Sequence, residues 1–264
     1  MSSPDTVKQC CARLYESDFA RLLLGDSFHP GGTKLTERLG ALLVLGARWR
    51  VLDIASGTGA SALFLAERVG CEVVGVDYGS HNVEQSHEAA TARGLDKRVS
   101  FLTGDAERLP FPDASFDAVI CECAFCTFPD KTAAAHEFAR VLRSGGGIGL
   151  SDLTRGPVLP EELSGLLAWV ACIADARPVD TYVRYLCDAG FCVERVESHD
   201  EALLEMVNQV RTKLLGIEIL GRPEEIGAAG CRFYGRQEDG SVSCLCGSGG
   251  QFRIRDHPCS QTLI

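Results

Sequence analysis

Short apolar runs alternate with amphipathic stretches along most of this chain. Runs rich in β-branched residues predict buried strands, and apolar positions spaced three and four apart predict helices. Strands that alternate with helices pair in parallel through right-handed crossovers, with helices covering both faces of the sheet. The pattern therefore predicts an α/β fold with a doubly wound, mostly parallel sheet. The predicted strands are Arg50–Ile54, Glu72–Val76, Val99–Leu102, Asp117–Cys121, Gly147–Asp152 and Phe191–Val196.

The same periodicity divides the chain into three parts. Residues 1–46 are predicted to form an N-terminal helical unit, and residues 47–220 hold the alternating strands and helices. Residues 221–264 contain eight glycines and four cysteines with little periodicity, which predicts a poorly ordered tail or a small subdomain. The predicted helices are 6–24, Thr36–Leu45, Ala60–Arg68, Asn82–Arg93, Lys131–Leu142, Pro157–Ala176, Val179–Ala189 and Glu201–Leu220.

The amino-acid composition limits the binding partners and the cellular compartment that we expect for this protein. The formal net charge of −10 argues against nonspecific binding to nucleic acid or to an anionic membrane, because phosphate surfaces would repel the protein. The chain has no apolar run of about eighteen residues and no basic-plus-apolar leader, so we expect a cytoplasmic protein. The 13 cysteines are an odd number in a chain without an export signal, which favours reduced thiols over disulfides.

A glycine turn between two predicted strands is the most informative segment. The strand Arg50–Ile54 runs into Ala55-Ser56-Gly57-Thr58-Gly59, and the next strand is followed by Asp77. Strand, glycine turn, helix, strand and acid form the layout of a nucleotide-type cofactor site. The third glycine of a dinucleotide fingerprint is missing, because Leu63 and Phe64 stand in that region. This departure weakens a nicotinamide interpretation.

Five motifs in this order resemble the class I S-adenosylmethionine-dependent methyltransferases. The resemblance covers roughly residues 25–200. It implies a Rossmann-like, mostly parallel seven-stranded sheet, an N-terminal helical lid and S-adenosylmethionine as the cofactor. The matching segments are Val51–Gly59, Val76–Asp77, Gly104–Phe111, Phe116–Ile120 and Leu142–Gly146.

The resemblance also implies cofactor contacts at particular residues. Gly57 and Gly59 would admit the methionine moiety, and Asp77 would bind the ribose hydroxyls. Asp105 would accept a hydrogen bond from the adenine amino group, and the Ala106 amide would donate one to a ring nitrogen. The other predicted cofactor-binding residues are Asp53, which would fix the glycine loop or a bound water, and Ser56, Tyr78, Glu107 and Cys121.

Cysteines follow the fourth predicted strand, at the position that faces the methyl group in this fold. The segment Val119–Cys123, followed by Pro129-Asp130-Lys131, is similar to the corresponding stretch of arsenite S-adenosylmethionine methyltransferases. The resemblance implies that Cys123 and Cys172 are thiolate ligands of As(III), a soft metalloid that suits a soft ligand. Arsenic so bound keeps a lone pair, which attacks the methyl carbon without a general base. A thiol reductant such as glutathione or thioredoxin would be a partner.

The third thiolate and the methyl acceptor remain open at this point. Cys11 is the third candidate catalytic cysteine, with Cys10, Cys126, Cys244 and Cys246 as alternatives. One alternative function is methylation of a quinone precursor, an amine or a thiol, with cysteines that merely pack. A second is a non-catalytic, cysteine-rich protein that responds to metalloids or redox state. No metal cofactor is predicted, because Cys244-Leu245-Cys246 has too short a spacing for structural zinc. His29-Pro30-Gly31-Gly32 is either a closure over the methionine carboxylate or a plain turn.

Overall fold

The structure is a computed structural model that describes residues 4–25, 27–155, 176–220 and 246–255. The helices in these ranges are α1 (Pro4–Tyr15), α2 (Asp18–Leu24), α3 (Gly32–Leu42), α4 (Ala60–Arg68), α5 (Ser80–Ala92), α6 (Lys131–Val141), α7 (Val179–Asp188) and α8 (Asp200–Leu220). The strands are β1 (Arg50–Ile54), β2 (Glu72–Asp77), β3 (Val99–Thr103), β4 (Phe116–Glu122), β5 (Leu142–Arg155), β6 (Val193–Ser198) and β7 (Cys246–Arg255). A 3-10 helix over Phe125–Thr127 follows β4.

The strands form one sheet in the order β3-β2-β1-β4-β5-β7-β6. The first five strands of this order pair in parallel, and β7 is antiparallel to both β5 and β6. This confirms the doubly wound α/β class and its mostly parallel sheet. The strand order reverses between β1 and β4, where Ile54 is in register with Cys121. A reversal of this kind leaves a crevice at the carboxyl ends of the two strands.

The C-terminal stretch contributes to the sheet, contrary to the prediction of a tail over residues 221–264. Residues Cys246–Arg255 form β7 and lie between β5 and β6. Ile254 is in register with Ile148, and Phe252 with Leu150. The sequence signal was weak because glycines dominate the first half of this strand, and glycine is depleted in strands. The rest of residues 221–264 and nearly all of the predicted helix Pro157–Ala176 lie outside the described residues.

The N-terminal helix predicted over residues 6–24 is in fact two helices. Ser17 has an extended backbone and caps α2, since its Oγ accepts a hydrogen bond from the Ala20 amide at 3.1 Å. The same hydroxyl donates to the Leu14 carbonyl near the end of α1 at 2.6 Å. A serine side chain that bonds backbone groups in this way competes with a continuous helix. The break sets the direction of α1 independently of α2.

Helices cover both faces of the sheet and fix its position. On one face α6 and α7 bury Phe138 and Tyr182 against the strands. On the other face α3 and α4 bury Leu39 and Leu63. Helices packed on both sides hold the carboxyl ends of β1 and β4 rigidly in place. Within the described ranges, no helix has both the length and the apolar character needed to cross a membrane.

Candidate functional site

A cleft opens at the carboxyl ends of β1 and β4, where the strand order reverses. It holds about 1100 Å³ of space, part of it open to solvent. Its walls come from the turns after β1 and β2, the loop after β3, the end of β4, helix α1 and the segment before α3. The predicted site residues that line it are Cys11, Asp53, Ser56, Gly57, Asp77, Tyr78, Asp105, Ala106 and Cys123.

The backbone of the turn after β1 is left-handed at Ala55, Gly57 and Gly59. Gly57 lines the cleft, and a Cβ added to it would lie 3.3 Å from Cδ2 of Phe28. Gly59 was predicted to admit the methionine moiety, but it lies outside the cleft lining at the start of α4. A Cβ on Gly59 would lie 2.6 Å from Cζ of Phe101. This glycine therefore lets α4 pack closely against β3.

Asp77 at the end of β2 organises the turn after β1. Its Oδ2 accepts a hydrogen bond from the Gly57 amide at 2.8 Å. Its Oδ1 accepts from the Gly79 amide at 2.8 Å and from Nδ2 of Asn82 at 3.2 Å. Burial raises the pKa of Asp77, and these hydrogen bonds oppose that rise. The carboxylate thus joins two turns at the edge of the cleft.

Four buried polar atoms of cleft-lining residues have no hydrogen-bond partner within the described residues. They are Oγ of Ser27, Oδ2 of Asp53, Oγ of Ser56 and Oδ1 of Asn82. Burial, followed by repulsion from Glu122 and Asp77, raises the pKa of Asp53 well above its ordinary value. Buried polar atoms without partners are rare in proteins, and in a cleft they indicate a ligand that supplies donors. These oxygens can accept hydrogen bonds from the ammonium and hydroxyl groups of a ligand such as S-adenosylmethionine.

The loop after β3 carries two acids that a lysine of α1 bridges. Nζ of Lys8 donates to Oδ2 of Asp105 at 2.8 Å and also to Oε2 of Glu107. Glu107 does not line the cleft, although it was predicted to bind the cofactor. Instead its amide donates to Asp105, and its Oε1 accepts from the Asp130 amide. Burial lowers the pKa of Lys8, but the hydrogen bonds and charges of the two acids outweigh burial and raise it.

The cysteines at the end of β4 lie in two different environments. Cys123 lines the cleft, has a left-handed φ of 53°, and donates its amide to the Ser151 carbonyl at 2.6 Å. Cys121 was predicted to contact the cofactor, but it is fully buried in the core and does not line the cleft. Burial, then the charges of Asp152 and Asp53, raises the pKa of Cys121 well above its ordinary value. Residues two apart share one face of a regular strand, so the difference arises because β4 ends at Glu122 and the backbone of Cys123 is left-handed.

A buried polar network that was not predicted from the sequence lies in the cleft wall. Glu122 accepts hydrogen bonds from Ser61 at 2.6 Å and from Thr36 at 3.2 and 3.1 Å. Ser61 Oγ lies 3.3 Å from Nε2 of His29, which is itself 3.7 Å from Glu122. His29, Ser61 and Glu122 line the cleft. His81, His87 and His136 are exposed.

Helix α1 forms the outer wall of the cleft along one of its faces. Lys8, Cys11, Ala12 and Tyr15 all line the cleft, at positions separated by three, four and seven residues. The Tyr15 ring lies 6.0 Å from the Phe28 ring, so the lid also has an aromatic contact at its end. The spacing of these residues could have identified the face, but the acids that Lys8 bonds lie 97 and 99 positions away. The predicted N-terminal lid thus lies beside the cleft.

Some cysteines named from the sequence lie outside the described residues. Cys172, the predicted second arsenic ligand, is one of them. Cys244 of the disfavoured zinc spacing Cys244-Leu245-Cys246 is another. In the part of the chain that the structure describes, no cluster of three or more histidine, cysteine or acidic side chains could hold a metal ion.

The fold and the cleft define a Rossmann-like domain that binds a nucleotide-type cofactor. A family profile described as a methyltransferase domain matches residues 51–146, which span the glycine turn, Asp77, Asp105 and β4. These residues form a class I methyltransferase domain, and its cofactor is S-adenosylmethionine.

Similar proteins differ widely in the substrates that their names give. The chain is 30% identical over 168 residues to methyltransferase GfsG of Streptomyces halstedii, covering 62% of this chain and 60% of that protein. It is 38% identical over 153 residues to a 27-O-demethylrifamycin SV methyltransferase of Amycolatopsis mediterranei, covering 53% and 56%. An arsenite methyltransferase of Halobacterium salinarum is 30% identical over 155 residues, covering 58% and 39%. The chain thus spans less than two thirds of each of these relatives.

A solved structure supports the fold. The cyclase SpnF superposes with a TM-score of 0.68 at 22% identity, over 83% of this chain and 85% of that one. At this identity the likeness shows the fold alone.

Proposed function

We propose that the protein is an S-adenosylmethionine-dependent methyltransferase whose acceptor is trivalent arsenic held by cysteine thiolates. The observation that carries this proposal is the presence of Cys123 and Cys11 in the wall of one cleft. Cys123 follows β4 at the strand reversal, and Cys11 comes from the lid helix. Cys172 joins the proposal as a further ligand on the resemblance alone.

The cofactor would lie along the inner wall of the cleft. S-adenosylmethionine supplies an electrophilic methyl group on a sulfonium centre. Asp53 and Ser56 offer unpartnered oxygens to its polar groups, and Asp77 holds the turn that carries Gly57. Asp105 lies at the far end of the same wall and is assigned to the adenine. We therefore assign the cofactor to the residues that surround β1, β2 and the loop after β3.

The cysteines would provide positioning without proton transfer. Thiolate sulfur is a soft ligand, and As(III) is a soft, three-coordinate ion that keeps a lone pair. An acceptor that already carries a lone pair needs orientation and exclusion of water more than a base. The left-handed backbone at Cys123 turns the chain sharply at the cleft edge. A cellular thiol such as glutathione or thioredoxin would keep the cysteines reduced, which suits a cytoplasmic enzyme.

The test is methylation of arsenite by the purified protein. The reaction contains S-adenosylmethionine, arsenite and glutathione, and the arsenic products are separated and identified by mass. We expect methylated arsenic from the wild type and loss of product from Cys123→Ser, Cys11→Ser and Cys172→Ser. Cys187→Ser is the matched control, because Cys187 is exposed and does not line the cleft. Unchanged turnover in both Cys11→Ser and Cys123→Ser would reject thiolate binding of the acceptor.

The buried network at His29 favours a second candidate, methylation of a small molecule at oxygen or nitrogen. His29 lines the cleft and is connected through Ser61 to the carboxylate of Glu122. A histidine that is oriented by a carboxylate is a suitable general base for a hydroxyl acceptor. The discriminating measurement is turnover of a panel of phenols, quinols and amines by wild type and His29→Gln, with cofactor affinity measured in parallel. Turnover that depends on His29 at unchanged cofactor affinity supports this candidate.

A further inference from the structure

We propose that Lys8 is a positioning residue that latches the lid helix α1 onto the loop after β3. Its ammonium bridges Asp105 and Glu107, and this bridge holds Cys11 in the wall of the cleft. The latch is inferred from the geometry of the cleft alone. A role for Cys11 in methyl transfer rests on the proposed function.

The helix transmits the constraint from Lys8 to Cys11. The two residues are three positions apart on one face of α1, separated by a rise of about 4.5 Å along the helix axis. Ala12 and Tyr15 continue the same face and also line the cleft. Because an α-helix is stiff over this length, an ion pair at Lys8 fixes where Cys11 lies.

The acids that receive Lys8 are held in place by other bonds. The Glu107 amide donates to Oδ1 of Asp105 at 3.0 Å, and the Asp130 amide donates to Oε1 of Glu107 at 2.7 Å. The two carboxylates are therefore organised by their own loop and by the start of α6. Lys8 ties α1 to both acids of this loop. Release of Lys8 should consequently move α1 rather than the loop.

Burial and charge make this ion pair stronger than an ordinary surface pair. The side chains of Lys8 and Glu107 are 11% and 12% exposed, and that of Asp105 is 31% exposed. Charge-assisted hydrogen bonds of partly buried groups are less screened by solvent than exposed pairs are. Among the described residues, Lys8 is the sole lysine or arginine that lines the cleft. It faces an acidic wall that also contains Asp53 and Asp77.

The latch and the cofactor share one carboxylate. Asp105 receives Lys8 on Oδ2 and is also the residue assigned to the adenine amino group. A ligand that contacts Asp105 and lies under α1 therefore changes the free energy of the latch, and the latch changes ligand affinity by the same factor. We expect cofactor binding and the position of Cys11 to be coupled through Lys8.

The test measures the reactivity of individual cysteines in the full-length protein. Wild type and Lys8→Met are alkylated with N-ethylmaleimide for increasing times, and modified peptides are quantified by mass spectrometry. We expect Cys11 to react roughly tenfold faster in Lys8→Met, as for a 1.4 kcal/mol change in the opening equilibrium. Cys187 is exposed and serves as the internal reference, whose rate should stay unchanged. S-adenosylhomocysteine should slow alkylation of Cys11 in the wild type and do so less in Lys8→Met.

Three further variants separate the latch from loss of the fold. Lys8→Arg keeps the charge and should restore slow alkylation of Cys11. Lys34→Met removes an exposed lysine of α3 and should match the wild type. Glu107→Gln removes one of the two acids and should give an intermediate rate. If Lys8→Met disrupts folding, the core residue Cys71 reacts as well, and Glu107→Gln then decides.

Equal Cys11 rates in wild type, Lys8→Met and Glu107→Gln would overturn the latch. Because the assay contains no arsenic and no methyl acceptor, this result does not depend on the proposed function. Conversely, a protein that fails to methylate arsenite can still show the latch.

Discussion

At the scale of single residues, the inner wall of the cleft concentrates negative charge. Asp53, Asp77 and Glu122 are each less than 10% exposed. Hydrogen bonds from backbone or hydroxyl groups stabilise Asp77 and Glu122, whereas Oδ2 of Asp53 has no partner within the described residues. Burial, followed by the charges of Glu122 and Asp77, raises the pKa of Asp53, so its ionisation carries a penalty.

This penalty predicts the pH dependence of an Asp53→Asn variant. Since burial raises the folded-state pKa of Asp53 above its ordinary value of 3.8, the folded protein keeps this proton to higher pH than the unfolded chain does. The contribution of the group to stability is fully present below the unfolded pKa and is lost as pH rises through the folded pKa. Asparagine is never charged, so we expect Asp53→Asn to gain stability relative to wild type as pH rises.

The measurement is urea unfolding of both ligand-free proteins from about pH 5 to about pH 8. Asp96→Asn is the control, because Asp96 is exposed and should show no such trend. If the difference in unfolding free energy between Asp53→Asn and wild type stays constant across this range, the charge of Asp53 does not destabilise the folded protein. In the same variant we expect cofactor affinity to fall roughly ten- to a hundredfold, consistent with the loss of one hydrogen bond to a charged group, worth about 1.5–3 kcal/mol.

Some residues of the cleft could be predicted from the sequence, and others could not. Asp53, Asp77 and Asp105 line one cleft, and each stands in a recognisable motif near the end of a strand or just after it. Lys8 was missed, because the residues it bonds are 97 and 99 positions away and α1 has no motif of its own. Glu122 was missed for a different reason. In the sequence, Glu122 stands between two cysteines and cannot be told apart from any other residue that ends a strand. The packing of α3 and α4 brings Thr36 and Ser61 to its carboxylate.

At the scale of elements, strong local signals gave accurate boundaries and weak ones did not. The predicted bounds of β1 and α4 match the structure, since an apolar run or a helical face fills each element completely. The predicted strand Gly147–Asp152 is part of a longer β5, which begins at Leu142, opposite Phe116. Pairing between strands extends it through a glycine-rich stretch that local propensity disfavours.

The contact between α4 and β3 yields a prediction about Gly59. Its left-handed φ of 81° and the Phe101 ring beneath it both oppose a side chain. We expect Gly59→Ala to destabilise the protein by about 2–4 kcal/mol, from backbone strain of about 1 kcal/mol and overpacking of about 1–3 kcal/mol. Chemical denaturation of the two proteins measures this difference.

Gly94→Ala is the matched control, because Gly94 also has a left-handed φ but no atom within 4 Å of an added Cβ. It should cost only the backbone strain of about 1 kcal/mol. Phe101→Leu replaces the ring with a smaller side chain. Combined with Gly59→Ala in a double variant, it should relieve part of the overpacking. Equal costs for Gly59→Ala and Gly94→Ala would contradict the packing role assigned to Gly59.

At the scale of the whole molecule, the cleft joins distant parts of the chain. Its wall includes Lys8 and Cys11 from the N-terminal helix and Cys123 from the centre. The sheet beneath it continues through β5 to β7 near the C-terminus. The sequence sufficed for the fold class, because five parallel strands carry regular signals. It did not suffice for the boundary at residue 220, because β7 pairs with β5, about a hundred positions earlier, and with β6, about fifty-five positions earlier.

The position of β7 predicts that the C-terminal stretch stabilises the sheet. Backbone pairing with β7 covers the edge of β5 and joins β6 to the sheet. A chain that ends at residue 245 would leave both strands with unpaired amides and carbonyls, which are costly when shielded from water and promote association when exposed.

A chain that ends at residue 255 keeps β7 and is the control. We expect the shorter chain to unfold at lower urea and to associate, and the longer one to match the full-length protein. Because the cleft lies at the β1 and β4 ends, cofactor affinity should fall only as far as folding falls. Equal urea midpoints for the two truncated chains would show that β7 contributes nothing to the stability of the sheet.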